Sequence, residues 1–330
     1  MPSAPPTRAS RRVSRRVQLA RRRVLALLIL VVLIGTVIGI ALTVGGAGAD
    51  ADTAPPADRS STGATPTASS PSPSASPSPA SPAPAETPSA RVCEDPDVVA
   101  ALAGGADDAV VDAVGGGEAF RAAVVGGEAP CLDLSEAGRM WVVVNKRRPL
   151  DPIDYWPTPQ DQPDDIRVVS GGGWLRADVA AALDRLATAI VDDAGRIAVD
   201  SAFRPYSYQV GLYNRYVASK GRAAADLRSA RPGHSEHQTG LAVDVVACDS
   251  GCGSHDGFKG TAQAQWLVDN AWRYGFVIRY EDGQTDVTGY AWEPWHLRYV
   301  GVELATAYHE GGFGTLEGFF GLPAAPDYAE

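Results

Sequence analysis

Two short segments of the chain place histidines and carboxylates at spacings that suit a metal site. Residues 232–244 read PGHSEHQTGLAVD and residues 293–296 read EPWH, in a chain that holds only five His. Gly240 can turn the backbone sharply, and the β-type run after it places Asp244 on the strand face opposite its aliphatic neighbours. We therefore expect His237 in the turn and Asp244 on the strand to converge.

The surroundings of Asp244 predict that a cation compensates its charge. Ala-Val precedes this residue and Val-Val follows it, and a carboxylate among such neighbours is costly to bury unless something positive, such as a metal ion, lies beside it. A hydrolytic zinc ion needs three protein ligands and an open position for water. His237, Asp244 and His296 supply that set, so Zn²⁺ is the predicted cofactor. Glu293, three residues before a ligand, stands where a general base would.

Neither motif is specific by itself, because His-x6-Asp and Glu-x-x-His spacings both arise often by chance. Their joint occurrence in an acidic domain, with an Arg-bearing strand end at residues 200–205, favours a metal site over two unrelated structural motifs. His234 and His255 are the alternative ligands. His309, in a polar stretch near the C terminus, is predicted to lie on the surface.

The same residues carry a resemblance to a known family. The pattern Ser-x-His-x-x-Gly-x-Ala-x-Asp from Ser235 to Asp244, followed by Glu-x-x-His from Glu293 to His296, resembles the VanY-type zinc D-Ala-D-Ala carboxypeptidases, relatives of the VanX dipeptidases. Further segments that match are VNKRRPL, SAFRPYSYQ, FVIRY and the run that begins TGY, at residues 144–150, 201–209, 276–280 and 288–301. The resemblance covers residues 140 to 305.

The resemblance implies hydrolysis of the terminal D-alanine of peptidoglycan stem peptides by a zinc-activated water, with Glu293 as the general base. Arg204 matches the arginine that polarises the scissile carbonyl and stabilises its oxyanion, a role that suits a fixed guanidinium. Gln209 and Ser235 match positions that contact substrate in relatives, although either side chain could instead satisfy backbone groups. Trp295 is predicted to pack beside the site.

Competing interpretations differ in the ligands and in the bond that is cut. The family pattern assigns the metal to His237 rather than His234, and makes Glu236 a solvated or structural carboxylate. Relatives with similar motifs cut the L,D bond of tetrapeptides, so an L,D-carboxypeptidase or an endopeptidase of the same zinc fold is the nearest alternative. A non-catalytic cell-wall-binding module is a further one. The presence of Glu293 and Arg204 together with the ligands argues against it.

The elements that must position these residues predict an α+β domain, of the zinc D,D-peptidase-like kind, with a central mostly antiparallel sheet flanked by helices. Strand-like runs occupy residues 141–144, 166–169, 197–199, 241–246, 276–280 and 296–300. One apolar helical face comprises Val179, Leu183, Leu186 and Ile190. A second, before the predicted cap residue Gly275, comprises Leu267, Val268, Ala271 and Trp272. Strands and helices do not alternate regularly, which favours α+β.

The four cysteines predict two disulfides, because all of them lie in the part of the chain expected outside the cytoplasm. We expect Cys93 to pair with Cys131 around an Ala/Gly-rich helical segment, and Cys248 with Cys252 in a tight loop. The alternative for the second pair is a metal site, since His255 completes a C-x3-C-x2-H pattern. That set lacks the fourth ligand that a structural zinc normally needs.

The N-terminal quarter predicts a membrane anchor and a spacer. Residues 24–44 are 21 uncharged, mostly aliphatic residues, enough for a helix of about 31 Å that spans a bilayer. The Arg-rich residues before them predict a cytoplasmic N terminus and an extracytoplasmic body. Residues 47–49, Ala-Gly-Ala, leave signal cleavage and secretion as the alternative. Residues 50–90 hold ten Pro and ten Ser, a composition typical of a disordered linker.

The predicted organisation has six parts: a basic cytoplasmic tail, a transmembrane anchor, a linker, a small disulfide-held helical segment, a catalytic domain and a C-terminal tail, at residues 1–23, 24–44, 45–91, 92–138, 139–310 and 311–330. The net charge of −10 divides into +8 over residues 1–23 and −18 over residues 24–330. A nucleic-acid-binding protein would instead carry its Lys and Arg on the folded part. The predicted partners are therefore stem peptides and the membrane, and the sequence does not predict an oligomeric state.

Overall fold

The computed structural model describes residues 92–329. The predicted tail, membrane anchor and linker at residues 1–23, 24–44 and 45–91 lie outside the described residues. Between residues 92 and 329, none of the helices combines the length and the apolar composition that a bilayer span requires.

A five-stranded sheet forms the centre of the described chain. Its strands, in spatial order, are β2 (Arg167–Val168), β4 (Ile197–Ser201), β5 (Ala242–Ala247), β7 (His296–Tyr299) and β6 (Phe276–Ile278). β2 and β4 pair in parallel and the other three pairs are antiparallel. A separate antiparallel pair joins β1 (Gln160–Asp161) to β3 (Leu175–Arg176). This arrangement confirms the α+β prediction with a mostly antiparallel sheet.

Helices precede, connect and follow the strands. They are α1 to α3 (Pro96–Gly104, Asp107–Val114, Gly117–Val125), α4 and α5 (Ala177–Ala189, Val191–Ala194), α6 and α7 (Tyr206–Lys220, Arg222–Asp226), α8 and α9 (His255–Phe258, Ala262–Asn270), α10 (Thr285–Thr288), and α11 and α12 (Val302–Glu310, Leu316–Phe319). Two 3₁₀ turns lie at Glu236–Thr239 and Ala271–Tyr274.

The prediction of a strand at residues 141–144 is wrong. These residues are buried, but they belong to none of the strands that the structure describes. The guanidinium of Arg298 donates hydrogen bonds to the backbone oxygens of Met140 and Val142, at 3.0 and 2.6 Å. A side chain thus satisfies carbonyls that a neighbouring strand would otherwise bind.

The apolar stripe predicted for α4 is buried at all four positions. The stripe on α9 is narrower than predicted, because Leu267 and Ala271 are buried whereas Val268 is 44% exposed. The chain changes from α-helix to a 3₁₀ turn at Ala271, and Gly275 ends that turn in the left-handed region at φ 86°. Only Gly adopts this conformation without a steric cost.

The helices before residue 138 and the segment after residue 310 both contribute to the core that surrounds the sheet. Phe120 on α3 packs against Trp141 with ring centroids 5.0 Å apart, and Phe319 on α12 is 1% exposed. The structure joins the cysteine pairs Cys93–Cys131 and Cys248–Cys252 that the spacing predicted.

Candidate active site and metal centre

The central strand β5 brings two distant segments against Asp244. In the register of the sheet, Asp244 lies opposite Ser201 of β4 on one side and His296 of β7 on the other. His237 comes from the 3₁₀ turn just before β5, which ends at Gly240 with φ 72°. A Cβ at Gly240 would lie 3.0 Å from Pro157 Cγ and 3.1 Å from the Arg176 backbone nitrogen, so this tight connection between turn and strand requires glycine.

His237, Asp244 and His296 meet in a buried cluster whose three ligand atoms lie within 4.8 Å of one another. His237 Nε2 is 3.2 Å from Asp244 Oδ2, and His296 Nδ1 is 3.1 Å from Asp244 Oδ1. The two imidazole rings are perpendicular, with centroids 4.9 Å apart. The three predicted ligands therefore converge on one small volume.

Each histidine is oriented by a bond from its other nitrogen. His237 Nδ1 lies 2.8 Å from the backbone oxygen of Ala202 and so carries its proton there, which leaves the lone pair of Nε2 facing Asp244. His296 Nε2 lies 3.4 Å from a carboxylate oxygen of Glu236, which turns Nδ1 toward Asp244. Metal-binding histidines typically have this kind of outer partner.

Two buried atoms of the cluster have no hydrogen-bond partner among the described residues: His237 Nε2 and Asp244 Oδ1. Unpaired buried polar atoms are rare, because each costs about 1–3 kcal/mol. Here both atoms belong to the cluster whose ligand atoms lie within 4.8 Å of one another, and the lone pair of His237 Nε2 faces a carboxylate oxygen at 3.2 Å. Two imidazoles and one carboxylate form a donor set that suits a divalent ion with an open coordination position, so the residues present fit a metal ion.

The electrostatics of the cluster point the same way. Burial, with the nearby Arg204, lowers the pKa of His237 to about 4. Burial also opposes the charged form of His296, but its contacts with Asp244 and Glu236 outweigh this and raise its pKa to about 9. Burial would raise the pKa of Asp244, yet both histidines hold it well below its usual value. Asp244 stays ionised beside a neutral His237, as in a metal site, whereas His296 would release a proton on binding a metal ion.

Glu293 lies at the edge of the cluster, with Oε2 3.9 Å from His296 Nδ1 and a side chain 15% exposed. Its backbone nitrogen donates to Tyr280, at 2.9 Å from the carbonyl oxygen. Burial raises the pKa of this carboxyl to about 7, although His296 partly opposes the shift. A partly buried carboxylate that is not among the convergent ligands can accept a proton.

Arg204 is fixed on the opposite side of Asp244. Its Nη1 donates to Ser201 Oγ at 2.7 Å and lies 3.5 Å from Asp244 Oδ2, while its Nε donates to Gln209 Oε1 at 3.2 Å. The side chain is 18% exposed and lines the cavity described below. A guanidinium held by three oxygens keeps one orientation, as the stabilisation of a developing oxyanion requires.

Two predicted substrate contacts do not line that cavity. Gln209 is fully buried, and its amide nitrogen donates to Ser229 Oγ and to the backbone oxygen of Ala230 at 3.3 and 2.7 Å. Ser235 is 3% exposed and precedes the 3₁₀ turn that carries His237. In the structure Gln209 holds Arg204, and its contact with substrate stays a prediction.

Glu236 is a structural carboxylate and is not solvated. It is 1% exposed and accepts hydrogen bonds from Arg279 Nε at 2.9 Å and Arg298 Nη1 at 2.7 Å, besides the contact with His296. Burial alone would raise its pKa, but the two guanidinium groups hold it well below the usual range. Arg279 also binds Glu317 of α12, which ties the C-terminal segment to the site.

The other histidines lie outside the ligand cluster. His234 Nδ1 is 2.8 Å from the backbone oxygen of Asn145. His309 is exposed and stacks on Trp272. His255 stacks on Trp295 with centroids 5.1 Å apart and an interplanar angle of 6°.

A cavity of about 790 Å³ opens over the metal cluster, Glu293 and Arg204. Trp295 lines it, as predicted, but so do Asp200 and His255, which the sequence analysis did not assign to the site. The one signal that could have found His255 is its position just after the Cys248–Cys252 loop.

Comparisons with known proteins agree with the geometry. The family model of VanY, D-alanyl-D-alanine carboxypeptidase, matches residues 172–302. The chain is 39% identical over 147 residues to the putative carboxypeptidase YodJ of Bacillus subtilis, a match that covers 44% of this chain and 54% of YodJ. The chain thus spans about half the length of that relative.

Two further matches cover more of the other protein. The chain is 34% identical over 135 residues to VanXYC of Enterococcus gallinarum, a bifunctional D-Ala-D-Ala dipeptidase and D-Ala-D-Ala carboxypeptidase, covering 39% of this chain and 68% of VanXYC. Among solved structures, the LdcB LD-carboxypeptidase is 35% identical with a TM-score of 0.52, over 56% of this chain and 87% of that chain.

Proposed function

Because this chain belongs to the VanY family of D-alanyl-D-alanine carboxypeptidases, we propose that it is a zinc-dependent carboxypeptidase that removes the terminal D-alanine from peptidoglycan stem peptides. The observation that carries the proposal is the buried cluster of His237, Asp244 and His296, with two unpartnered lone-pair atoms at the base of a cavity. A structural cluster would have satisfied those atoms.

The three ligands would hold the ion, which supplies a Lewis acid for the scissile carbonyl and lowers the pKa of a water molecule. Glu293 accepts a proton from the attacking water and passes it to the leaving amine. Arg204 donates hydrogen bonds to the oxygen of the scissile carbonyl as negative charge develops there.

The similarity to LdcB supports a second candidate, cleavage of the L,D bond of tetrapeptide stems, because that structure is of an LD-carboxypeptidase. The relatives VanXYC and the VanY family favour the D,D bond. The residues that bind water, metal and carbonyl are common to both reactions. The difference lies in the part of the cavity that receives the residue before the scissile bond.

One digestion experiment separates these candidates. The full-length protein is incubated with synthetic stem peptides that end in D-Ala-D-Ala or in a single D-Ala, with and without a zinc chelator, and the products are weighed by mass spectrometry. We expect chelator-sensitive loss of one alanine from the pentapeptide. Loss from the tetrapeptide alone would reassign the enzyme to the L,D bond, and activity that survives exhaustive chelation would exclude the metal mechanism.

We also propose that the N-terminal residues 24–44 hold the enzyme in the cell membrane with the catalytic part outside, where stem peptides lie. The linker composition of residues 50–90 supports this, since a Pro-rich chain keeps a domain clear of the membrane surface. Fractionation followed by protease digestion of intact cells tests it. Recovery of the protein in the medium with a new N terminus near residue 49 would favour secretion.

A further inference from the structure

A second group of side chains lines the cavity beyond the metal cluster. The imidazole of His255 lies flat on the indole of Trp295, and its Nε2 is 3.1 Å from Asp200 Oδ2. Ser170 Oγ donates to the other oxygen of the same carboxylate, at 2.9 Å. All four residues line the cavity. Among the contacts of residues 92–329, none joins His255 to the three ligands.

An irregularity in the sheet directs Asp200 to this position. The pairing of β4 with β5 shifts register between Val199 and Ser201, so Asp200 is an extra residue on its strand. Such a bulge turns a side chain away from the regular alternation and is common beside active sites. The regular partners on either side keep Val199 in the core and Ser201 next to Arg204.

The loop that carries His255 is fastened at several points. The Cys248–Cys252 disulfide closes it, and the Asp249 carboxylate binds the backbone nitrogen of Arg196 at 2.7 Å and the amide of Gln263 at 2.8 Å. Phe258, at the end of α8, is fully buried. The loop therefore presents its histidine to the cavity from a rigid base, as a binding group requires.

The free edge of the His255 ring is polar. One face of the ring is covered by the stack on Trp295, and Asp200 lies at Nε2, which favours the proton on that nitrogen. Nε2 is buried and lies 3.1 Å from Asp200 Oδ2 without the geometry of a full hydrogen bond, and no polar contact within the described part of the chain involves Nδ1. Nδ1 is thus available to accept a hydrogen bond from a peptide N–H group.

On the basis of the proposed function, we propose that His255 is a substrate-binding residue that hydrogen-bonds the backbone of the residues that precede the last two of the stem peptide. The leaving group of a carboxypeptidase is one residue, which must lie beside Glu293 and Arg204. A cavity of about 790 Å³ lies in the range that encloses a whole small ligand, so most of it receives upstream residues. Within the described residues, His255 contacts Trp295 and Asp200 and none of the three ligands. This places it in the part of the cavity that receives the upstream residues.

Peptide binding without turnover tests this assignment. The zinc-loaded full-length protein with Glu293→Gln is titrated by calorimetry with the tighter-binding stem peptide, pentapeptide or tetrapeptide, and with the acetylated dipeptide that has the same last two residues. We expect His255→Ala to raise the Kd of the stem peptide three- to tenfold, as for one lost hydrogen bond. The Kd of the acetylated dipeptide should change less than twofold.

His309→Ala is the matched control, because His309 also stacks on a tryptophan, Trp272, at 4.4 Å and 9°, away from the cavity. It should change neither Kd. An unchanged stem-peptide Kd in His255→Ala, an equal loss for both peptides, or no binding of either peptide would overturn the proposal. With Glu293 restored, KM should rise in His255→Ala while kcat stays within twofold. If peptide binding depended on His255 but the parent enzyme did not hydrolyse the peptide, only the proposed function would be contradicted.

Removal of the disulfide tests the positioning of the loop. In a Cys248→Ser, Cys252→Ser protein we expect the same rise in stem-peptide Kd, and no further rise when His255→Ala is added, because coupled changes are not additive. The Cys93→Ser, Cys131→Ser protein is the control and should keep the parent Kd. A folded Cys248→Ser, Cys252→Ser protein with the parent Kd would show that the disulfide does not position His255.

Discussion

Two buried carboxylates lie on either side of His296, and they are compensated in opposite ways. Glu236 accepts hydrogen bonds from two guanidinium groups and is fully paired within the protein. Asp244 is bordered by two imidazoles and a more distant Arg204. Asp244 Oδ1 and His237 Nε2, which faces the other carboxylate oxygen, have no hydrogen-bond partner among the described residues. Burial of a carboxylate alone therefore does not identify a site. Buried polar atoms without a hydrogen-bond partner identify it.

The same comparison explains why the ligands are held so firmly. Glu236 belongs to the 3₁₀ turn that also carries His237, and it contacts the nitrogen of His296 that faces away from Asp244. One carboxylate therefore orients ligands on both sides of the cluster, anchored by Arg279 and Arg298. The ion pairs of Glu236 thus hold in place the two histidines that would bind the metal ion.

The largest expected effect comes from disrupting the ion pairs of Glu236. Arg298→Ala leaves Glu236 with one guanidinium fewer and frees the backbone oxygens of Met140 and Val142. We expect a loss of about 3–5 kcal/mol in the free energy of unfolding, typical of a buried ion pair that loses one partner. Urea unfolding measures it. Arg147→Ala, at an exposed arginine, is the control, and equal stability of the two variants would contradict a structural role for the network.

Glu293→Gln tests the chemistry beside the Asp244 cluster. The variant keeps the size of the side chain and the three ligands, but it removes the group that accepts a proton. We expect kcat to fall by about 100-fold or more, with zinc content and KM little changed. Steady-state kinetics on the stem peptide, together with metal analysis, measure this. Turnover at the parent rate would refute the assignment of Glu293 as general base.

Gln209→Ala tests the support of Arg204 and should have a smaller effect. Loss of the oxygen that accepts from Arg204 Nε should lower kcat by about fivefold at constant zinc content, because one orienting hydrogen bond contributes about 1 kcal/mol. Gln265→Ala, at an exposed glutamine bonded only to Asp269, is the control. A rise in KM alone would return Gln209 to the role of a direct substrate contact.

The smallest effect concerns acid stability through Glu317, the carboxylate that shares Arg279 with Glu236. Burial would raise the pKa of Glu317, but Arg279 more than offsets it and lowers the pKa below the usual 4.5. A depressed carboxyl pKa stabilises the fold above the unfolded value and loses this contribution as the pH falls through the folded value. The free energy of unfolding should therefore decrease below pH 4.5.

Glu317→Gln should be less stable than the parent at pH 7 and should lose less stability between pH 4.5 and 3. Urea unfolding at three pH values gives both quantities. Glu310→Gln, on the exposed end of α11, should follow the parent at every pH. If Glu317→Gln showed the same acid dependence as the parent, the pKa of Glu317 would not be lowered in the folded protein.

The sequence predicts the metal cluster well because its chemistry is local. Asp244 follows His237 through a glycine turn and a strand of period two, and β7 begins at His296. The pairing of Glu236 with Arg279 and Arg298 was not predicted, because these residues come from different elements and meet only in the folded sheet. Spacing in the sequence contains no information on that contact.

The positions of residues that the sequence did not place depend on tertiary geometry. Gln209 lies on the inner face of α6, where it reaches Arg204 and not the cavity. His255 reaches the cavity because a disulfide loop and a bulge at Asp200 converge there. The run at residues 141–144 has a strand-like composition, yet the guanidinium of Arg298 donates hydrogen bonds to the carbonyl oxygens of Met140 and Val142.

The measurement that tests the central claim most directly is the zinc content of His237→Ala against His234→Ala. Both variants lose one histidine of the same motif, but only His237 lies in the cluster with the unpartnered atoms, whereas His234 binds the backbone of Asn145. Metal analysis after dialysis against a zinc buffer should give one zinc per chain for the parent and for His234→Ala, and none for His237→Ala. Equal zinc in both variants would contradict the assignment of the site.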